Sequence, residues 1–166
     1  CTAVCVVASM NDMAAPSISL EGKNLWLLQS LPVKPWQALR AKLSVQLILT
    51  SIPALFASVC AAIAGGLSAV EALLTLLVPQ AVILMMALLN LTVGLKMPNL
   101  TWTSEIVPIK QSASVMIGLL GGMIYGILPF AGFLMFGHRM GANAYMACFM
   151  AFTLAISAGL YVWLKK

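Results

Sequence analysis

Few polar side chains in this sequence could take part in chemistry, and those inside its long apolar runs are uncharged. Inside the apolar runs the candidates are Gln46, Gln80, Asn90, Thr92 and Thr153. Between residues 43 and 164, charged residues occur only at the breaks that separate these runs. Catalysis by general acids, bases or nucleophiles needs paired carboxylates or a Ser/His/Asp set, and no such pattern is visible. We therefore predict no catalytic residues and no enzyme activity in this chain.

Cysteine and histidine show no metal-binding pattern. The cysteines are Cys1, Cys5, Cys60 and Cys148, all in apolar runs without a C-x-x-C pair, and His138 is the only histidine. A structural zinc site needs four ligands at close, fixed spacing. The chain also has no G-x-x-x-x-G-K-[ST] loop for a nucleotide phosphate. We predict no metal site and no bound cofactor, and we interpret the cysteines as small buried hydrophobes.

Composition places the chain in a membrane. It is 62% hydrophobic and 8% charged, with a mean hydropathy of +1.03, whereas a soluble domain is about 25% charged. The net charge of +5 does not come from a basic face with interleaved exposed aromatics, so we expect no nucleic-acid partner. The lipid bilayer is the partner that this composition predicts.

Four charge-free runs are each long enough to cross a bilayer, which takes roughly 20 apolar residues in a helix. The predicted transmembrane helices are residues 43–67, 72–95, 113–136 and 143–164. Residues 1–13 are interpreted as the tail of a truncated span, so the chain is expected to be the C-terminal portion of a longer protein. Residues 17–31 are predicted to form a cytoplasmic interfacial helix. The expected fold is an all-α membrane protein, with residues 1–166 forming a single transmembrane domain fragment.

The basic residues predict the topology. If residues 17–42 lie on one side of the membrane, the segment 96–111 and the C-terminus share that side, because successive spans alternate. That side then holds eight of the nine basic residues, and only Arg139 lies opposite. The positive-inside rule makes the first side cytoplasmic. We predict a multi-pass protein of the cell (plasma) membrane with a cytoplasmic C-terminus.

Small residues recur at every fourth position in three spans. The stripes are Gly118, Gly122 and Gly126 in the third span, Ala54, Ser58, Ala62 and Gly66 in the first, and Ala147, Ala151, Ala155 and Gly159 in the last. Such stripes permit close helix contact in lipid. The glycine stripe is the most convincing, because glycine is unfavourable in a helix unless packing requires it. We predict that these three glycines form a helix-packing contact.

Three of the spans contain a proline, and each proline should bend its helix. Pro53, Pro79 and Pro129 each remove an amide hydrogen and clash with the preceding turn. Bends suit transporters that rearrange, but they are also common in static spans. Gln80 follows one of these prolines. We expect it to bond a neighbouring helix or a backbone group freed by the proline, although contact with a polar substrate is an alternative.

One polar segment interrupts the apolar pattern, "SISLEGKNLWLLQSLPVKPW" at residues 17–36. Ser17 or Ser19 can cap a helix that runs to about Ser30. Pro32 stops that helix, and Pro35 can start the next one. Two interpretations stay open, an interfacial helix that only anchors the fold and a docking surface for a cytoplasmic partner.

Two motifs resemble one family. "SLEGKNLWLLQSLPVKP" at residues 19–35, followed by a span, and "PNLTWTSEIVPIKQS" at residues 98–112 resemble the permease subunits of bacterial ABC exporters. Together with the two spans between them, they cover most of the chain. At position 34 this chain has Lys34, whereas the resembled family would be expected to have a serine before the proline at position 35.

The resemblance implies a membrane subunit that moves a substrate while a separate cytoplasmic ATPase binds and hydrolyses ATP. The resemblance implies that residues 17–31 form a coupling helix, a short cytoplasmic helix that receives motion from the ATPase. It also implies that the second motif is another ATPase contact. The implied contact residues are Glu21, Lys23, Leu25 and Leu28 in the first motif, and Glu105 and Lys110 in the second. It also implies that the missing N-terminal spans or a second permease half are partners. The substrate cannot be predicted from these residues.

Three other functions remain as alternatives. A carrier driven by an ion gradient usually has an ionisable residue within a span, and the apolar runs of this chain contain none. A membrane enzyme is disfavoured because catalytic pairs are missing. A non-transporting scaffold would differ from a permease in lacking ATPase activity that responds to substrate.

Overall fold

The computed structural model describes residues 1–11, 16–17, 19, 35–97 and 113–165, with the backbone alone at residues 35 and 136–140. Throughout these residues the regular structure is helical. The helices are α1 (Thr2–Ser9), α2 (Pro35–Ala64), α3 (Ala69–Lys96), α4 (Ala113–Met140) and α5 (Ala142–Lys165). The last four are long and apolar enough to cross a membrane. The predicted all-α membrane fold with four spanning helices is therefore confirmed.

The two minor predicted elements are described to different extents. The expected truncated span contains α1, an eight-residue helix that ends at Ser9. The predicted interfacial helix at 17–31 lies outside the described residues, apart from Ser17 and Ser19.

The observed helices are longer than the apolar runs that predicted them. α2 begins at Pro35, eight residues before Leu43, where the predicted span begins. Proline tolerates the first helical turn because its missing amide hydrogen would have no intrahelical partner there. Arg40 and Lys42 therefore belong to a helix that extends beyond the apolar run. α4 likewise continues through His138 and Arg139 to Met140, so the connection to α5 is shorter than the predicted break.

Glycine shapes both tight connections. After α2, Gly66 adopts φ +56°, and the amide hydrogens of Gly66 and Leu67 are donated to the carbonyl oxygens of Ile63 and Ala62. This is the Schellman pattern that ends a helix. The backbone N–H of Ser68 then donates to the Glu71 carboxylate at 3.0 Å, which caps the start of α3. Gly141, with φ +78°, separates α4 from α5.

α3 is the central helix of the bundle. In its most apolar window 61% of residues are buried, compared with 17–22% for the other three spans. α1, α2, α4 and α5 all pack against it. The outward faces of α2, α4 and α5 carry exposed apolar side chains, including Phe56, Ile63 and Met135. Because lipid is as apolar as these side chains, such faces are those expected of helices in a bilayer.

One end of the bundle, which we call the basic end, gathers aromatic and basic side chains. The rings of Trp36 and Tyr161 meet edge to face with centroids 5.5 Å apart. The Lys96 ammonium lies 5.1 Å from the centre of the Trp163 ring. The start of α2 and the ends of α3 and α5 therefore lie together. Tryptophan, tyrosine and lysine are typical of the membrane–water interface.

Candidate functional site

A partly buried polar contact joins Asn11, which follows α1, to α2. The Asn11 side-chain amide donates to the Thr50 hydroxyl at 2.7 Å. The Gln46 side-chain amide donates to the backbone carbonyl oxygen of Asn11 at 3.1 Å. Gln46 precedes Thr50 by one helical turn, so both side chains lie on the same face of α2. The segment that follows α1 is thus held to α2 by two hydrogen bonds.

Beside this polar contact runs a cavity of about 490 Å³, here called the α1–α2 groove. Its walls include Val4 and Ala8 of α1, Asn11 just after that helix, and Thr50, Pro53 and Ala57 of α2. The lining is apolar except for Asn11 and Thr50. Pockets that bind small molecules have this character, an apolar surface with a few polar groups that orient the ligand.

Two buried side-chain amides have polar atoms that find no hydrogen-bond partner among the described residues. Gln46 is 3% exposed and Asn90 is 0% exposed. Within the part of the chain that the structure describes, the Gln46 Oε1 atom, the Asn90 Oδ1 atom and the Asn90 Nδ2 atom have no hydrogen-bond partner. Each such group costs about 1–3 kcal/mol in a protein interior. A buried polar atom left in this state calls for a specific explanation, such as an ordered water, stored strain or a functional role.

A second polar contact joins α4 to α5. The Tyr125 and Thr153 hydroxyl oxygens lie 2.8 Å apart. The Thr153 hydroxyl donates its single hydrogen to the Phe149 carbonyl oxygen, so the tyrosine is the donor in the contact between the helices. Thr153 is fully buried. This contact is satisfied on both sides, in contrast to Asn90.

Near this contact lies a smaller cavity of about 230 Å³. Phe133, Tyr145 and Phe149 line it, and Tyr145 lies between the other two rings, with centroid separations of 6.0 and 6.5 Å. The Tyr145 hydroxyl lies 3.4 Å from the Leu128 carbonyl oxygen, which is long for a hydrogen bond. The cavity is an apolar, aromatic space between helices, and Cys1 and Thr2 form part of its wall.

The glycine stripe lies on the buried face of α4. Gly118, Gly122 and Gly126 are all buried. A methyl group at Gly122 would overlap the Ser9 carbonyl oxygen, and one at Gly126 would lie 2.8 Å from the Val6 Cα atom. The Ser9 hydroxyl also donates to the Gly122 carbonyl oxygen at 2.7 Å. The last two glycines therefore allow α1 to approach the backbone of α4.

The stripe predicted on α5 has a different environment. Ala147, Ala151, Ala155 and Gly159 are exposed on the outer surface of the described bundle. The face of α5 that packs inward carries Thr153 and Ser157 instead.

The residues predicted to contact an ATPase are Glu21, Lys23, Leu25, Leu28, Glu105 and Lys110, and all six lie outside the described residues. Their role stays a prediction. Gln80 is described, and its amide lies 3.5 Å from the Ser51 carbonyl oxygen on α2. Gln80 therefore makes the predicted contact with a neighbouring helix.

Sequence reasoning identified Gln46 as polar but missed its connection to Asn11. It also missed Ser9 and Tyr125. The four-residue spacing of Gln46 and Thr50 would have placed these two polar side chains on one face of α2. Nothing in the sequence indicated that α1 would cover that face. Among the residues that the structure describes, no three His, Cys, Asp or Glu side chains are grouped to hold a metal ion.

No protein-family model matches the chain, and neither a curated protein nor a solved structure is significantly similar to it.

Proposed function

We propose that this chain is part of the membrane-embedded permease of an ABC exporter. It moves a substrate across the membrane, and a separate cytoplasmic ATPase subunit binds and hydrolyses the ATP. The C-terminus and the segments 17–42 and 98–112 lie in the cytoplasm of a bacterial cell. ATP is a ligand of the partner and not of this chain.

The observation that supports transport is the pair of buried side-chain amides with unpartnered atoms. A static anchor gains nothing from Gln46 and Asn90 in this state, because an apolar side chain would fill the same space without the desolvation cost. A permease can use such groups, either to bind a polar part of its substrate or to form hydrogen bonds in another arrangement of the helices. Pro53, Pro79 and Pro129 lie inside three of the spans and provide places where these helices can bend.

The energy source is proposed from the sequence. The two segments that resemble exporter permeases flank α2 and α3, on the side that carries most of the basic residues. The runs 43–70, 72–95 and 111–137 contain no Asp, Glu, Lys or Arg. They therefore offer no group of the kind that proton-driven carriers use within a span. An external ATPase is the drive that fits both features.

Co-purification with an ATPase tests this proposal. The chain is expressed in its full natural context with an ABC ATPase encoded beside its gene, and the complex is purified and reconstituted in lipid vesicles. We expect the ATPase to co-purify and to hydrolyse ATP. Glu21→Lys, or Leu25→Asp combined with Leu28→Asp, should abolish co-purification without preventing membrane insertion.

Gln29→Asp is the matched control, because it changes the side of the same predicted helix that faces water. It should leave co-purification unchanged. If the native chain retains no ATPase, the proposal is wrong and an ion-driven carrier or a scaffold becomes the better explanation. If the ATPase stays bound to the Leu25/Leu28 variant, the segment is only an anchor.

A further inference from the structure

We propose that the smaller cavity, which α4 and α5 chiefly enclose and which we call the aromatic cavity, binds a small organic cation with a quaternary-ammonium group. The aromatic rings of its wall attract the positive charge, and the rest of the wall contacts the apolar part of the ligand. That this cation is the transported substrate rests on the proposed function, whereas the binding itself does not depend on an ATPase.

Four aromatic side chains border this one space. Phe130 and Phe133 come from α4, and Tyr145 and Phe149 come from α5. The Tyr145 ring centroid lies 6.0 Å from that of Phe133 and 6.5 Å from that of Phe149, with the ring planes inclined by 59° and 26°. Aromatic pairs at these separations are ordinary contacts between side chains. These rings differ from an ordinary core because all four side chains also line an open volume of about 230 Å³.

Gly132 determines where the Tyr145 ring lies. A Cβ atom at Gly132 would overlap the Tyr145 hydroxyl oxygen, so a side chain there would displace the ring. Glycine is unfavourable inside a helix, and this contact gives it a packing role. Because the hydroxyl lies as far as 3.4 Å from the Leu128 carbonyl oxygen, packing against α4 positions the ring more than a hydrogen bond does.

The chemistry of the wall favours a positive charge. The face of an aromatic ring is the negative part of its quadrupole, and it attracts a cation within about 6 Å of the ring centre, most strongly where water is excluded. Among the described residues that line the cavity, none has a charged side chain that would repel a cation. A quaternary ammonium suits this wall because it has no N–H group that would be left without a hydrogen-bond partner.

The size and position of the cavity also suit such a ligand. Its volume exceeds the roughly 150 Å³ that holds benzene in an engineered protein cavity, so there is room for a ring with a trimethylammonium group. The cavity is lined by Ala142, where α5 begins, and by Val78, nine residues after Ala69, where α3 begins. It therefore lies towards the end of the bundle opposite the basic end, where a charge is desolvated less than at the bilayer centre.

A lipid acyl chain is the main competing occupant. Phe130 and Phe133 are exposed on the surface of the described bundle, so the side of the cavity that they form adjoins the bilayer. An acyl chain would fill the space by apolar contact alone. A cation gains the attraction of the ring faces as well. Charge is therefore the property that separates the two occupants.

Photolabelling with matched competitors tests the site. The probe is phenyltrimethylammonium with an azide on its ring, irradiated with the full chain in nanodiscs of phosphatidylethanolamine and phosphatidylglycerol, which contain no choline. Mass spectrometry identifies the labelled residues, and we expect residues 129–133 and 145–149. Unlabelled phenyltrimethylammonium should suppress this labelling. At equal concentration in the membrane, tert-butylbenzene, which has the same shape without the charge, should compete about tenfold less well, as one desolvated cation–π contact predicts.

Three results with the native chain would overturn the proposal, and none of them depends on a variant that has to fold. Equal competition by tert-butylbenzene would identify the cavity as a simple apolar space. Competition by benzenesulfonate, an anion of similar size, would contradict attraction by the ring faces. Loss of labelling when phosphatidylcholine is added to the nanodiscs would identify a lipid headgroup as the occupant and reject a free cation.

Variants test whether the rings attract the charge. Phe149→Leu should lower labelling about tenfold. Phe152→Leu is its control and should leave labelling unchanged, because Phe152 is exposed on α5 and does not line the cavity. Tyr145→Leu should lower labelling, and Tyr145→Phe should retain it. An equal loss in these last two variants would show that the hydroxyl binds the ligand, which contradicts the proposal.

Gly132→Ala tests the position of the Tyr145 ring. It should lower labelling, because the added methyl group displaces that ring. Gly159→Ala is the matched control, since a Cβ atom there meets no described atom within 4 Å. Equal labelling of both variants would contradict the placement of the ring beside the cavity.

The same experiment separates the two proposals. Labelling that is selective for the cation, without ATPase co-purification, supports the site and contradicts the ATP-driven permease. Co-purification with an active ATPase, without selective labelling, supports the permease and rejects this site. Stimulation of ATP hydrolysis by phenyltrimethylammonium in the native complex, lost in Phe149→Leu and kept in Phe152→Leu, supports both and identifies the bound cation as a substrate.

Discussion

The Ser9 hydroxyl lies 2.7 Å from the Gly122 carbonyl oxygen and binds α1 to the middle of α4. The serine is fully buried, and its hydroxyl also lies 2.9 Å from the Val6 carbonyl oxygen in its own helix. A side-chain hydrogen bond to a backbone carbonyl on another helix requires the two backbones to come close. Glycine at the contact makes this approach possible, since it has no Cβ atom.

Gly122→Ala is predicted to destabilise the bundle by about 1–3 kcal/mol, the usual result of overpacking. Its methyl group would overlap Ser9 and would also lie 3.0 Å from the Met86 Cε atom. Gly121→Ala is the neighbouring control, because a Cβ atom there meets no described atom within 4 Å. Reversible unfolding in mixed micelles measures both. Equal effects of the two substitutions would show that α1 does not pack against Gly122.

Tyr125 and Thr153 are predicted to be energetically coupled. A double-mutant cycle with Tyr125→Phe and Thr153→Val should give a coupling free energy of about 0.6 kcal/mol and no more than about 1.7 kcal/mol, the range found for hydrogen bonds between membrane helices. The unfolding free energies of the four proteins measure it. Tyr161→Phe combined with Thr153→Val is the control, and it should show additivity. Additivity in the first cycle would contradict the hydrogen bond seen at 2.8 Å.

Asn90→Leu is predicted to stabilise the chain, which is unusual for a substitution at a fully buried site. Removing an amide with no partner relieves a cost of about 1–3 kcal/mol, and leucine has a similar size. The same variant should lose ATP hydrolysis stimulated by substrate if transport uses the amide. Unfolding and hydrolysis are measured on the same preparation.

Asn143→Leu is the control for that variant, because Asn143 is exposed near the start of α5. It should change the unfolding free energy little. If Asn90→Leu instead destabilises the protein, its amide has a partner that the described residues do not provide.

The C-terminus is predicted to be cytoplasmic, because eight of the nine basic residues fall on its side of the membrane. Alkaline phosphatase, which is active only outside the cytoplasm, should be inactive when fused after Lys166 and active when inserted at Gly66. A fluorescent protein should give the reverse pattern. Phosphatase activity at Lys166 would invert the topology and place the segments 17–42 and 98–112 out of reach of a cytoplasmic ATPase.

The sequence predicted the spanning helices because their signals are local. A charge-free run must satisfy its backbone hydrogen bonds within itself in lipid, and only a helix does so. Pro35 and the Gly65–Gly66 pair mark where α2 begins and ends. The predicted first span began too late, because α2 extends beyond the apolar run and includes Arg40 and Lys42. Backbone hydrogen bonds extend there at no cost, because water or headgroups can solvate the charged side chains.

What only the tertiary structure decided is which face of each helix turns inward. The stripes on α4 and α5 have the same spacing, yet Gly122 lies against α1 and Gly159 lies on the outer surface. Gln80 and Asn90 lie on the same helix, yet among the described residues Gln80 finds a hydrogen-bond partner and Asn90 does not. In an apolar solvent the hydrophobic effect does not choose a face, so the choice depends on how neighbouring side chains fit together. The sequence pattern of a single helix does not specify how its side chains fit those of the neighbouring helices.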